Sequence, residues 1–251
     1  MLPSYFREPV FLCAEQHLNH ALIQPVSLDF ATQQTAVPIG LSEFRIAATQ
    51  YPIVFIGDNH PVPVIVTGLL SGGNLFIDQS GKWDSQHYCP AFLKQYPFYM
   101  LPQKGNETGI LLADQASKSF SDKKYIQIKA SADSLFTKQG DASEALMRVV
   151  ALCAGVYHAK QQVTALGHAI KAAGVLVERN VQYSAEKNTQ TISGMLMVDE
   201  NALRALPEAT LIAWYKSGWI DALNMHLASQ HNWEKLVHRH TQTSRNKAGG
   251  R

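Results

Sequence analysis

Cysteine is scarce in this chain of 251 residues, and the three present, Cys13, Cys89 and Cys153, lie far apart. An odd count with no C-x-x-C pair fits neither a disulfide framework nor a thiolate zinc site. Reduced thiols in a cytoplasmic protein are the expectation. Charge is sparse too, at 17% of residues, well under the roughly 25% of an ordinary domain, which argues against a disordered or nucleic-acid-coating chain. Nowhere do about 18 apolar residues run together, so no membrane span is expected, and the start shows no basic segment leading into an apolar stretch, so no signal peptide is expected either. The common chemical signatures are missing: no G-x-G-x-x-G, no phosphate loop ending in G-K-[ST], no H-E-x-x-H and no G-x-S-x-G. No cofactor is therefore assigned.

The net charge is +2 with histidine neutral. Four basic residues and no acidic one follow Leu236 (Arg239, Arg245, Lys247 and Arg251), leaving the rest of the chain slightly acidic. Residues 240–251 lack apolar periodicity and read as a flexible basic tail. Without interleaved aromatics it does not point to nucleic acid.

The first half reads as strands and turns. Val62 to Leu70 and Asn74 to Asp78 flank Ser71-Gly72-Gly73, a hairpin signal because glycine reaches positive φ without a steric cost. Tyr51 to Ile56 and Gly109 to Ala113 are short apolar runs typical of buried strands, and Tyr125 to Ala130 alternates. A helix is expected over Glu43 to Gln50, capped by Ser42 and ended by Tyr51-Pro52.

The second half reads as mostly helical. Asp141-Ala-Ser-Glu144 resembles a capping box, and after it Leu146, Val149, Val150, Cys153 and Tyr157 recur at helical spacing. Thr164 to Ala173, closed by Gly174, predicts a separate helix. Val175 to Tyr183 and Thr191 to Val198 predict a hairpin across Glu186-Lys187-Asn188. Asp199 caps a short helix, Pro207 suits a first helical position and Gly218 a C-terminal cap. A last helix is expected from Trp219 to His238. The fold class is α+β: a mostly antiparallel β region at about 1–135 packed with a helical region at about 141–239, with the hairpin near 175–198, in a single domain over 1–239.

Ten histidines invite a metal hypothesis, but no carboxylate completes a triad at recognisable spacing, and no metal site is assigned. His226 borders the apolar stripe Ile220, Leu223 and Leu227; that placement suits a hydrogen-bonded structural histidine or an acid/base group at the core's edge. Asp78 and Asp114 each end an apolar run. Neighbouring strands would set two carboxylates on one rim for acid/base work, although strand-end Asp more often organises a turn. The aromatic stretch from Trp83 to Tyr99 includes Trp83, Tyr88, Phe92 and Tyr96. It either lids the core or stacks a small molecule or peptide.

The order of signals resembles a known family. Tyr5-Phe6, His17, Glu43-Phe44, Tyr51-Pro-Ile-Val-Phe55 and Asn74-Leu-Phe-Ile-Asp78 are followed by Gly81-Lys-Trp83 and Tyr96-Pro-Phe98. Val198-Asp199, Leu206-Pro207, Gly218-Trp219 and His226-Leu with Ser229 complete the series. Together they are similar to the SapC family of bacterial proteins, over nearly the whole chain to about Arg239. The family name is tied to surface-layer loci, and a peptide-transporter permease that shares the name is a different, membrane-spanning protein. The resemblance implies a place beside outer-membrane uptake receptors, tryptophan halogenases and cupin-like oxygenases, and carries no catalytic residues. His17 and His226 match the family pattern. The leading expectation is an accessory protein that binds a small molecule, a peptide or a partner protein. Its rivals are an acid/base or metal-dependent enzyme using His17 and His226, and a surface-layer-associated structural protein.

Overall fold

A computed structural model describes residues 2–69, 73–103, 106–126, 131–185 and 188–249. Its strands and helices run in the order β1 (Pro9–Phe11), α1 (Ala14–His17), β2 (His20–Gln24), β3 (Ala36–Pro38), α2 (Phe44–Ala47), β4 (Ile53–Ile56), β5 (Val62–Val66), α3 (Ala91–Lys94), β6 (Phe98–Gln103) and β7 (Asn106–Asp114). Then come β8 (Phe120–Asp122), β9 (Ser131–Ser134), α4 (Glu144–Ala172), β10 (Leu176–Ala185), β11 (Asn188–Val198), α5 (Glu200–Arg204), α6 (Glu208–Lys216), α7 (Trp219–Ser229) and α8 (Asn232–Gly249). The sheets are antiparallel and the class is mixed α+β, as the sequence indicates. Among the described residues no helix is long and apolar enough to cross a membrane.

The chain forms two compact units that interleave along the sequence. The first takes Met1–Phe30, Asp78–Trp83 and Ala91–His158; the second takes Ala31–Ile77, Asp84–Pro90 and Ala159–Arg251. In the first unit, two three-stranded sheets, β1-β7-β6 and β8-β2-β9, supply Leu22, Phe98, Met100, Ala113 and Phe120 to a core that Leu146, Val149 and Cys153 of α4 complete. In the second, the sheet order is β10-β11-β4-β5-β3, and Phe55, Val64 and Ile65 are buried with Phe44, Tyr51, Leu166, Ile170 and Leu223.

Several local readings change. Val62 to Leu70 is strand only as far as Val66, and β5 pairs with β3 and β4 rather than with residues 74–78. The link that survives is one bond from Leu75 N–H to the Thr67 carbonyl (2.8 Å); Leu70 to Gly72 fall outside the described residues. The expected 125–130 strand begins instead with a 3-10 turn ending at Tyr125, and residues 127–130 lie outside the described set. Ser42 is not a cap, because it sits inside a 3-10 turn, Leu41–Glu43, whose Glu43 Oε2 accepts the Gly40 N–H at 2.7 Å.

The two helices read between Leu146 and Ala173 are one, the 29-residue α4. Its cap is Ser143 rather than Asp141: the Ser143 hydroxyl accepts the Leu146 N–H at 3.1 Å. The Val175–Val198 hairpin stands, with Leu176 opposite Val198, and so does the Asp199 cap, whose Oδ1 accepts from Asn201 and Ala202. The last helix is broken at Gln230-His231 into α7 and α8, and α8 continues to Gly249, so residues 240–249 are helical rather than an irregular tail. His240 is buried there, edge-on to Tyr183 at 5.9 Å.

Two glycines of α4 make opposite demands. A Cβ on Gly167 would lie 2.1 Å from the Pro61 carbonyl oxygen, whereas one on Gly155 meets nothing within 4 Å. Gly167→Ala must displace backbone, and we expect a loss of about 1–3 kcal/mol. Gly155→Ala should gain about 0.5–1 kcal/mol from helix propensity alone. Urea unfolding of the two variants checks the opposite signs.

Candidate functional site

His226 is wholly buried near the end of α7. Its Nε2 accepts the Val198 N–H at 3.1 Å, and its ring packs on Phe55 with centroids 5.3 Å apart. Desolvation drives its pKa down to about 4, a fall only partly opposed by the Ile53 backbone, so the ring stays neutral at physiological pH. Three residues on, the Ser229 hydroxyl accepts the Ile53 N–H (2.9 Å) and donates to the His226 carbonyl (2.6 Å). Gln230 Nε2 donates to the Ile53 carbonyl (2.8 Å), and Asn232 Nδ2 donates to the carbonyls of Ala48 (2.7 Å) and Tyr51 (3.1 Å). This polar knot binds the α7–α8 junction to β4, β11 and the end of α2. It uses the histidine as an acceptor on a strand.

Asp114, at the end of β7, is also fully buried. Its Oδ1 accepts the N–H groups of Glu8 (2.9 Å) and Ala116 (3.2 Å), and its Oδ2 accepts from Arg7 N–H (3.2 Å) and the Tyr96 hydroxyl (3.1 Å). Four donors satisfy the carboxylate, and among the described residues no ion pair reaches it. Asp78 is exposed and organises a turn: Oδ1 accepts from Ser80 N–H and hydroxyl and from Lys82 N–H, and these bonds hold its pKa below the ordinary value. Asp78 and Asp114 have no hydrogen-bond partner in common.

His17 and His20 do meet. The His17 ring is buried, with Nδ1 against the Cys13 backbone, and stands edge-on to His20 at 5.0 Å. His20 stacks on Phe120 at 4.8 Å, and desolvation followed by the neighbouring His17 lowers its pKa. His17 belongs to the first unit and His226 to the second, each within its own set of partners.

The aromatic stretch divides in the same way. Tyr96 is buried among Phe6, Tyr99, Tyr5 and Phe30, and Phe92 stands edge-on to Tyr5 at 6.1 Å. Trp83 is half-buried in the same unit. Tyr88 lies in the other, where its hydroxyl donates to Glu43 Oε1 at 2.8 Å and its carbonyl accepts from the Tyr51 hydroxyl. Desolvation and then Glu43 raise the Tyr88 pKa. Glu43 itself is buried, a carboxylate whose structural role was signalled only by its spacing from Gly40. Among the described residues no three His, Cys, Asp or Glu side chains gather as metal ligands.

A cleft of about 500 Å³ opens in the second unit between β10 and α8. Val181, Trp233 and Val237 supply apolar surface, and Gln182, Glu234, Thr241 and Arg245 supply polar groups. The helix is held in place by Arg239, which donates to the Leu75 carbonyl (2.9 Å) and Asp84 Oδ2 (2.6 Å) and lies 4.2 Å over the Phe76 ring. Desolvation pushes the Asp84 carboxyl up, but the Arg239 and Gln86 hydrogen bonds outweigh it and hold its pKa below the ordinary value. The sequence does not signal this cleft, because residues 240–251 lack apolar periodicity and read as tail.

Two predictions follow from the buried groups. The folded pKa of His226 lies below its unfolded value, so the stability it contributes is full above about pH 6.5 and is lost as pH falls toward 4. The loss approaches about 3 kcal/mol. Urea midpoints at pH 7.5, 5.5 and 4.5 should fall less steeply in His226→Gln than in the parent. Asp114→Ala removes the acceptor of four donors, of which the Tyr96 hydroxyl is buried, and should cost about 2–4 kcal/mol, while Asp114→Asn, which keeps one acceptor oxygen, should cost less; denaturant midpoints of both variants test the order.

No curated protein and no solved structure matches the chain. A family model does: the SapC model matches residues 12–236, a span that takes in the His17 turn, the buried Asp114, the β10–β11 hairpin and the His226 knot. The chain belongs to the SapC family.

Proposed function

We propose that this SapC protein is a binding protein, and that the cleft between β10 and α8 receives an extended peptide segment of a partner protein. The observation that carries this reading is that β10 is an edge strand with β11 as its neighbour and that its residues Val181, Gln182 and Tyr183 line the cleft. An open edge offers main-chain hydrogen bonds to an incoming strand, and a pocket beside it selects alternate side chains. Val181, Trp233 and Val237 suit an apolar side chain there, and Glu234 and Arg245 suit a polar or zwitterionic flank.

An acid/base enzyme using His17 and His226 has less support. The His226 lone pair is engaged by Val198, and Asp114 is engaged by four donors. Cys13, Cys89 and Cys153 form no disulfide among the described residues, which accords with a reducing, cytoplasmic compartment. An accessory role beside uptake receptors or aromatic halogenation, which the family resemblance implies, accords with a binding protein. Trp83 and Phe92 are each half-buried, and in this reading each ring offers a further contact to the partner.

Panning a random nine-residue peptide library on the full chain tests the proposal. Enriched peptides should bind at least about tenfold more weakly to Val237→Lys and should slow amide exchange in β10. Peptides that bind the variant equally, or that protect only other segments, overturn it.

A further inference from the structure

In the second unit, the loop joining β4 to β5 carries His60, whose Nδ1 lies 2.9 Å from Nε2 of His168 on α4; the rings are 5.0 Å apart and both residues are exposed. The juxtaposition is built from several directions. Gly57 turns the loop at φ +95°, and Gly167, lacking a side chain, lets the Pro61 carbonyl close onto the helix. Lys171 Nζ, one turn further along α4, donates to the Asp58 carbonyl and to Asn59 Oδ1, fixing the residues just before His60.

We propose that His60 and His168 form a two-imidazole binding site for a divalent late transition-metal ion, with water completing the coordination. An ion bonded to two imidazole nitrogens at about 2.0–2.1 Å sets them about 2.9 Å apart when the N–M–N angle is a right angle, and about 3.3 Å apart when it is tetrahedral. The observed spacing fits the right-angled, tetragonal case that Cu²⁺ and Ni²⁺ favour. In the metal-free pair one ring donates its N–H to the other. On binding, that ring moves its hydrogen to its outer nitrogen, so both facing nitrogens offer lone pairs, and two neutral rings meet the ion with no net proton released. The exposed rings can turn toward a common point, and the loop is already in place, so little ordering is needed on binding. The Lys171 ammonium opposes a cation; its hydrogen bonds occupy the Asp58 carbonyl and Asn59 Oδ1 and leave the imidazoles to serve as ligands. Once bound, the ion clips the β4–β5 loop to α4.

The test is titration of the full chain with Cu²⁺ alone, followed by calorimetry and by electron paramagnetic resonance at one equivalent or less. The first equivalent should bind at least about tenfold more tightly to the parent than to His60→Ala or His168→Ala, and its spectrum should show nitrogen coupling from two imidazoles. It should also raise the thermal midpoint of the parent more than that of either variant. Both side chains are exposed, and circular dichroism of the variants checks that they fold. Equal affinity in parent and variants, or coupling that is unchanged in both, overturns the proposal.

Discussion

The second unit depends on how β4 and β11 are joined where their ladder stops. The two strands pair at Leu196 and Phe55, and continuing that register would set Val198 opposite Ile53. They do not pair there. Val198 N–H is taken by His226, and Ile53 N–H and carbonyl are taken by Ser229 and Gln230. Side chains of one helix end thus stand in for the missing strand contacts on both sides of the gap. A buried backbone amide left unpaired costs about 1–3 kcal/mol, so losing this knot would expose several such costs at once. It also fixes the protonation state of His226, since only a neutral imidazole accepts a bond.

The same constraint explains the break between α7 and α8. Periodicity alone carries Trp219 to His238 as one helix, because Leu223, Leu227, Trp233 and Leu236 all have apolar side chains. Yet Ser229, Gln230 and Asn232 are needed as donors and acceptors for β4 and the end of α2. A continuous helix would distribute them around its axis, whereas a break lets all three converge. The polar run His158-Ala-Lys-Gln-Gln162 had the opposite effect on α4. It interrupts the apolar spacing ahead of the separate helix expected from Thr164, but helix backbone bonds run through it without needing an apolar face.

What the sequence made legible was local. The β10–β11 hairpin follows from alternation, the Asp199 cap from a short carboxylate ahead of a helix, and the helix end at Gly218 from glycine itself, which takes a left-handed φ of 71° there. Less legible was anything that depends on distant partners. His226 stands out in the sequence for its position on the border of a stripe, but its role needs Val198, 28 residues away. Asp114 reads as a strand-end turn residue, and it does bond Ala116, yet three of its four donors come from Arg7, Glu8 and Tyr96. Arg239 reads only as one of four basic residues near the end of the chain, yet its guanidinium is anchored to Leu75 and Asp84, more than 150 residues away in sequence.

The treatment of the sheet edge bears on function. Long open edges invite unwanted pairing, and proteins blunt them with charge and bulges. Strand β10 carries both in its middle: Glu178, Arg179 and Asn180 are exposed, and the register slips between Arg179 and Val181. Beyond the slip the protection stops. Val181, Gln182 and Tyr183 carry no charge, and there α8 comes alongside to form the cleft. In the proposed binding reading, the uncharged stretch beside the cleft is the part of the edge that receives a strand, and the bulge sets where that strand must stop.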